Sequence, residues 1–70
     1  MRVKLTALKD FETCNTWQEP IDISEGEILY GDLQKVDTGL EIIKLELYGV
    51  PTLFAKFVVQ KFFEIEVIDQ

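Results

Sequence analysis

Apolar residues recur at every second position along most of this chain, and that alternation confines it to β structure. Val3, Leu5 and Ala7 alternate with Arg2, Lys4 and Thr6, the pattern of a half-buried first strand. The clearest case is Glu41, Ile43, Leu45 and Leu47 on one face against Ile42, Lys44, Glu46 and Tyr48 on the other. Ile28-Leu29-Tyr30 makes a short second strand, with Gly31-Asp32 allowing a bend or bulge after it. Thr52 to Val58 reads as a fourth strand, with Leu53, Ala55 and Phe57 alternating against Phe54, Lys56 and Val58. Phe62 to Ile68 closes the series, with Phe63, Ile65 and Val67 opposed to Glu64 and Glu66.

The interruptions carry turn chemistry. Asn15, Pro20, Asp22 and Ser24 break the alternation between Lys9 and Glu25, which predicts a long loop whose arms can pair. Leu33 to Gly39 is polar and ends in the turn Asp37-Thr38-Gly39, and Tyr48-Gly49-Val50-Pro51 ends the third strand. Asp-Thr-Gly is also the core of aspartic proteases. That chemistry needs two aspartates sharing a proton across a far larger fold, so the turn reading prevails. Leu53 to Phe63 also satisfies a helical stripe, and Glu41 to Leu47 has good helix formers. β-branched and aromatic enrichment favours strands in both, less decisively over Leu53 to Phe63.

Seventy residues make one domain, spanning 1–70, and bury about 60% of the surface of the unfolded chain. A hydrophobic content of 47%, with five phenylalanines, is enough for one compact core. With a single cysteine, Cys14, and no histidine, the chain has no intrachain disulfide, no structural zinc set and none of the commonest general base near neutral pH. The expectation is therefore a protein with no catalytic residues, metal or other cofactor. No continuous apolar stretch follows Met1-Arg2-Val3-Lys4, and no apolar run is long enough to span a bilayer, so a soluble, cytoplasmic protein away from membranes is expected.

Charge is distributed unevenly. Between Lys9 and Lys35 stand Asp10, Glu12, Glu19, Asp22, Glu25, Glu27 and Asp32, with no lysine or arginine among them and Trp17, the one tryptophan, near the middle. Such a field attracts a cation-rich partner and repels phosphate. Lys44, Lys56 and Lys61 are the candidates for a basic face, but the net charge of −6 weighs against nucleic-acid binding.

The order of these features resembles an SH3 domain. Ala7-Leu8-Lys9-Asp10-Phe11 is similar to the Ala-Leu-Tyr-Asp-Tyr/Phe signature that opens the family's long RT loop. Ile21-Asp22-Ile23-Ser24-Glu25-Gly26-Glu27-Ile28-Leu29 is similar to the end of that loop and the strand after it. Val58-Val59-Gln60-Lys61-Phe62-Phe63-Glu64-Ile65 is similar to the closing segment, a short 3₁₀ turn leading into the last strand. The resemblance covers nearly the whole chain, and the common order of its short motifs carries it. It implies an all-β, five-stranded antiparallel SH3-like barrel with a long RT-type loop.

The groove that reads polyproline in that family is altered here. Lys9 replaces the first groove tyrosine, Val59 the groove proline, and no tryptophan stands near Leu40 to Ile42. Phe11 and Phe62 keep the aromatic character without the hydroxyl. The resemblance thus implies the barrel rather than the polyproline ligand. It also implies an RT loop whose acids pair with a lysine or arginine of the partner.

Partner-binding candidates are accordingly Phe11, Glu12, Trp17, Glu19, Asp22, Glu25 and Phe62: carboxylates to hold cations, with Trp17 and Phe62 as anchors. The expected activity is that of a non-enzymatic interaction module docking a protein with a Lys/Arg-rich surface. Size and acidity also suit a small accessory or inhibitory protein, such as one encoded by a phage or mobile element, including one that mimics nucleic-acid charge. Three alternatives stand beside it. The acidic run is otherwise a solvated loop, and Trp17 otherwise a cap over one mouth of the barrel. Alternatively, Phe54, Phe57, Phe62, Phe63 and Phe11 form an apolar patch through which a structural subunit forms homodimers.

Overall fold

The computed structural model describes residues 1–68, so the end of the expected domain at Gln70 lies outside the described residues. Seven strands and one turn of helix follow one another as β1 (Arg2–Ala7), β2 (Phe11–Cys14), β3 (Pro20–Ile23), β4 (Ile28–Lys35), β5 (Glu41–Leu47), β6 (Val50–Ala55), α1 (Lys56–Val59) and β7 (Phe63–Val67). Five of them form an antiparallel sheet in the order β6-β5-β4-β1-β7, and β2 pairs with β3 in a separate hairpin. Among the described residues no ladder joins β6 to β7, so the sheet is open at those two edges rather than closed through hydrogen bonds as the expected barrel.

The alternation seen in the sequence sets the core. Val3, Leu5 and Ala7 of β1 and Ile43, Leu45 and Leu47 of β5 are buried on one face of the sheet, with Phe63 of β7 and Val59 of α1. Ile21 and Ile23 of β3 complete this cluster, so the hairpin lies over the inner face of the sheet. The long acidic loop is in fact this hairpin. Its inward positions, Phe11, Thr13, Ile21 and Ile23, are buried or half-buried, and its outward positions, Glu12, Cys14, Pro20 and Asp22, are exposed.

Three boundaries differ from the sequence reading. Gly31 makes no bulge: it pairs with Val3 on one side and Leu45 on the other, and β4 runs on through Lys35. A Cβ there would lie 2.6 Å from Leu45 Cδ2 and 2.8 Å from the Lys44 carbonyl oxygen, so the position takes glycine because two strands and a core side chain converge on it.

The β5–β6 turn is only two residues long. Tyr48 and Gly49 have φ of 55° and 77°, the pair of positive values typical of a type I′ turn, and Leu47 faces Val50 directly. Val50 and Pro51 therefore belong to β6. Proline is tolerated because β6 is an edge strand, and its outward carbonyl accepts a 2.9 Å hydrogen bond from the Thr16 hydroxyl.

The fourth predicted strand stops at Ala55. Lys56–Val59 turns into helix, followed by tight turns in which Lys61 N–H donates to the Val58 carbonyl and Phe62 N–H to that of Val59. The one turn of helix buries Val59 against the core and leaves Phe57 and Val58 exposed. The last strand accordingly begins at Phe63 rather than Phe62.

Candidate protein-docking surface

The β2–β3 hairpin sets carboxylates directly opposite each other. Glu12 pairs with Asp22 in the ladder, both side chains pointing outward, which puts their Cβ atoms roughly 5 Å apart. Like charges so placed repel, and nothing nearby offsets them: the one ion pair among the described residues is Lys56–Glu41, at 3.3 Å. The alternation that buries Ile21 and Ile23 is what forces Asp22 outward between them.

At the hairpin tip, Asn15 is 3% exposed and makes four side-chain hydrogen bonds. Its Nδ2 donates to Glu19 Oε1 at 2.7 Å and to the Leu47 carbonyl at 3.1 Å. Its Oδ1 accepts from the backbone N–H groups of Trp17 and Glu19, at 2.9 and 3.1 Å. Thr16 adds a second tie, its N–H donating to Thr52 Oγ1 at 3.1 Å. The tip is thus fastened to the β5–β6 hairpin, and the Trp17 side chain projects from it, 73% exposed. Of the two alternatives for Trp17, exposure holds.

The remaining candidates separate. Phe11 lies on the inward face of the hairpin and packs against Phe62 with ring centroids 4.6 Å apart and planes tilted by 38°, while Phe63 meets Phe11 edge-on at 5.4 Å. Lys9 Nζ lies 4.9 Å from the centre of the Phe62 ring. Phe62 and Trp17 are therefore not one anchor: the first sits at the base of the hairpin near α1 and the second at its tip. Between hairpin and sheet remains an apolar cavity of about 90 Å³, lined by Phe11, Thr13, Leu47, Phe54, Val58 and Phe62 among others.

Glu25 is exposed in the turn after β3, where its N–H donates to Asp10 Oδ1 at 2.7 Å. Glu27 Oε1 accepts from Ser24 N–H at 3.1 Å, so the carboxylates of Asp10, Glu19 and Glu27 are engaged in holding the chain, while those of Glu12, Asp22 and Glu25 accept no hydrogen bond from the described residues. Asp32 leaves the group entirely. On β4 it stands opposite Arg2 and Lys44 on the outer face of the sheet, in a mixed-charge surface. Among the described residues no three acidic or thiol side chains converge as metal ligands would.

The phenylalanines also divide. Phe63 is buried, Phe54 and Phe62 half-buried, and Phe57 is 58% exposed beside Leu40. Of the candidates for a basic face, Lys44 stands on the outer face of β5 and Lys56 is paired with Glu41. No helix among the described residues is long and apolar enough to cross a membrane.

Sequence reasoning missed Asn15 and Thr52 as the residues that position the tip. Asn15 was legible only as a turn former, because its partner, the Leu47 carbonyl, is 32 residues away. Comparison of the chain with protein-family models, with curated proteins and with solved structures finds no match.

Proposed function

We propose that this chain is a non-enzymatic interaction module with an SH3-like order of elements, in which the outward face of the β2–β3 hairpin docks a Lys/Arg-rich surface of another protein. The order of elements supports the SH3-like reading. A long hairpin follows the first strand, a tight hairpin joins β5 to β6, and one helical turn precedes a last strand that returns to β1.

The observation that carries the docking reading is the unpaired Glu12–Asp22 couple. A guanidinium seated between the two carboxylates would convert a repulsion into two charge-assisted hydrogen bonds. Trp17 offers a flat apolar surface on a tip held by Asn15, so little ordering accompanies binding. Association would be steered electrostatically and weaken with salt. A small cytoplasmic accessory or inhibitory protein is the setting this reading suits.

The test is a pull-down from the source cell with wild type and the triple variant Glu12→Gln, Asp22→Asn, Glu25→Gln. Glu19 is spared because its carboxylate binds Asn15. Loss of captured proteins with basic surfaces is the expected result. Unchanged capture rejects the docking face.

A second reading rests on the exposure of Phe57 beside Leu40 and Val58, which favours self-assembly through that apolar corner. Light scattering decides it: a monomer at millimolar concentration excludes the homodimer.

A further inference from the structure

The two edges of the sheet are treated differently. The β6 edge is blunted by Pro51, which has no N–H, by Thr16, which occupies the Pro51 carbonyl, and by the helix that ends the strand after Ala55. The β7 edge has none of these devices. Leu8 N–H donates to the Phe62 carbonyl and Ile68 N–H to that of Arg2, which fixes the phase of the β1–β7 ladder. In that phase Glu64 and Glu66 bond towards β1, and the N–H and C=O groups of Phe63, Ile65 and Val67 point away from it. Among the described residues no strand pairs with that side and no side chain bonds to it.

We propose that this edge accepts an extended basic segment of another protein as a sixth, antiparallel strand. The charge along β7 selects the occupant. Glu64 and Glu66 stand exposed on the outer face of the sheet, Glu64 opposite Thr6 and Glu66 opposite Lys4 of β1, and neither has an ion-pair partner within 4.0 Å among the described residues. An added strand places one residue opposite each of them, about 5 Å away, where lysine or arginine gains and an acid loses.

A second copy paired over the full length of β7 is disfavoured for the same reason. Antiparallel pairing of β7 with itself about Ile65 sets Glu64 against Glu66 twice, and like charges directly opposite are repulsive. The two glutamates thus discourage self-pairing and mark the edge for a segment alternating basic and apolar residues. Val67 and Ile68, 48% and 42% exposed, extend the apolar contact for such a strand. This surface is independent of the hairpin face, since β7 and β2–β3 belong to different ladders.

The experiment is amide hydrogen exchange by NMR on the full chain, with a seven-residue peptide alternating lysine and valine. A peptide alternating glutamate and valine serves as control. At saturation the lysine peptide is expected to slow exchange of the Phe63, Ile65 and Val67 amides by about tenfold or more, and the glutamate peptide to leave them unchanged. Methylating the valine nitrogens of the peptide, which face the edge, abolishes the protection, while methylating the lysine nitrogens does not. The double variant Glu64→Gln, Glu66→Gln, both positions being exposed, is expected to stay folded with only a small drop in melting temperature, since residue 66 faces Lys4, and to lose the protection given by the lysine peptide.

Unchanged exchange at these three amides overturns the proposal. So does a response confined to Glu12, Trp17 and Asp22, which would leave the hairpin reading standing alone. Protection already present in the free protein at high concentration overturns it too, since the occupant would then be a second copy.

Discussion

The side-chain amide of Asn15 donates a 3.1 Å hydrogen bond to the backbone carbonyl of Leu47, 32 residues further along the chain. With Thr16 bonded to Thr52, this contact fixes the tip of the acidic hairpin on the turn region of the β5–β6 hairpin. An otherwise solvated loop becomes a surface of defined shape.

Asn15→Ala is expected to destabilise the fold by about 2–3 kcal/mol, because it leaves two backbone N–H groups and a buried carbonyl without their partner. Urea unfolding measures it. A loss under about 0.5 kcal/mol would mean that water replaces the side chain without cost, and that the tip is not held by it.

Gly31→Ala is expected to cost about 1–3 kcal/mol. The Leu45 side chain can turn away from the new methyl group, but the Lys44 carbonyl, 2.8 Å from it, moves only if β4 and β5 separate. Thermal unfolding reads this directly, and an unchanged melting temperature would show that the sheet yields there freely.

Tyr48→Asn should stabilise the protein by about 0.5–1 kcal/mol. The residue has φ of 55°, which asparagine adopts more readily than tyrosine, and Asn-Gly is a preferred pair for this turn. Tyr48 is 68% exposed, so little burial is lost. The check is again the unfolding midpoint, with a decrease contradicting the turn assignment.

Trp17→Ala should leave stability within about 0.5 kcal/mol of wild type, as expected for an exposed side chain. In the wild type, caesium should quench tryptophan fluorescence more efficiently than iodide at low salt, since the hairpin carries carboxylates and no cation. The difference should shrink as added salt shortens the screening length to about 10 Å at 0.1 M. Equal quenching by both ions at low salt would show that the field at the tip is weak.

Replacing Glu12 with Gln should raise stability by about 0.5 kcal/mol at low salt by relieving its repulsion with Asp22, while reducing capture of a basic partner. A gain in stability together with a loss in binding separates a docking role from a structural one. Loss of both would make Glu12 a structural residue instead.

Much of the fold is legible in the sequence because a half-buried strand writes itself with a period of two. Val3-Leu5-Ala7 and Ile43-Leu45-Leu47 needed no more than that alternation to be placed in the core, and Asp37-Thr38-Gly39 was recognisable as a turn. Pro51 and Gly31 were misread as a break and a bulge. Their meaning depends on neighbours: proline is harmless at an edge, and glycine is required where Leu45 and the Lys44 carbonyl crowd the strand.

Phe57 and Val58 were read as strand, with helix over Leu53 to Phe63 as the alternative, because local alternation is blind to where a sheet ends; helix holds over Lys56–Val59. The candidate site divided along the same line. Glu12 and Asp22 were identifiable as acids of one loop, but their direct opposition needed the register of the hairpin.

The sequence by itself determined that this chain is built of short strands, which of their faces are apolar, and that its acids concentrate in one segment, because these are properties of neighbouring residues. Only the tertiary structure decided which acids remain unpaired. It removed Asp32 to the mixed-charge face of the sheet, engaged Asp10, Glu19 and Glu27 in holding the chain, and left Glu12, Asp22 and Glu25 facing solvent with no hydrogen bond from the described residues. Charge pairing depends on distances through space, which the register of the hairpin sets for Glu12 and Asp22 and the register of the sheet sets for Asp32.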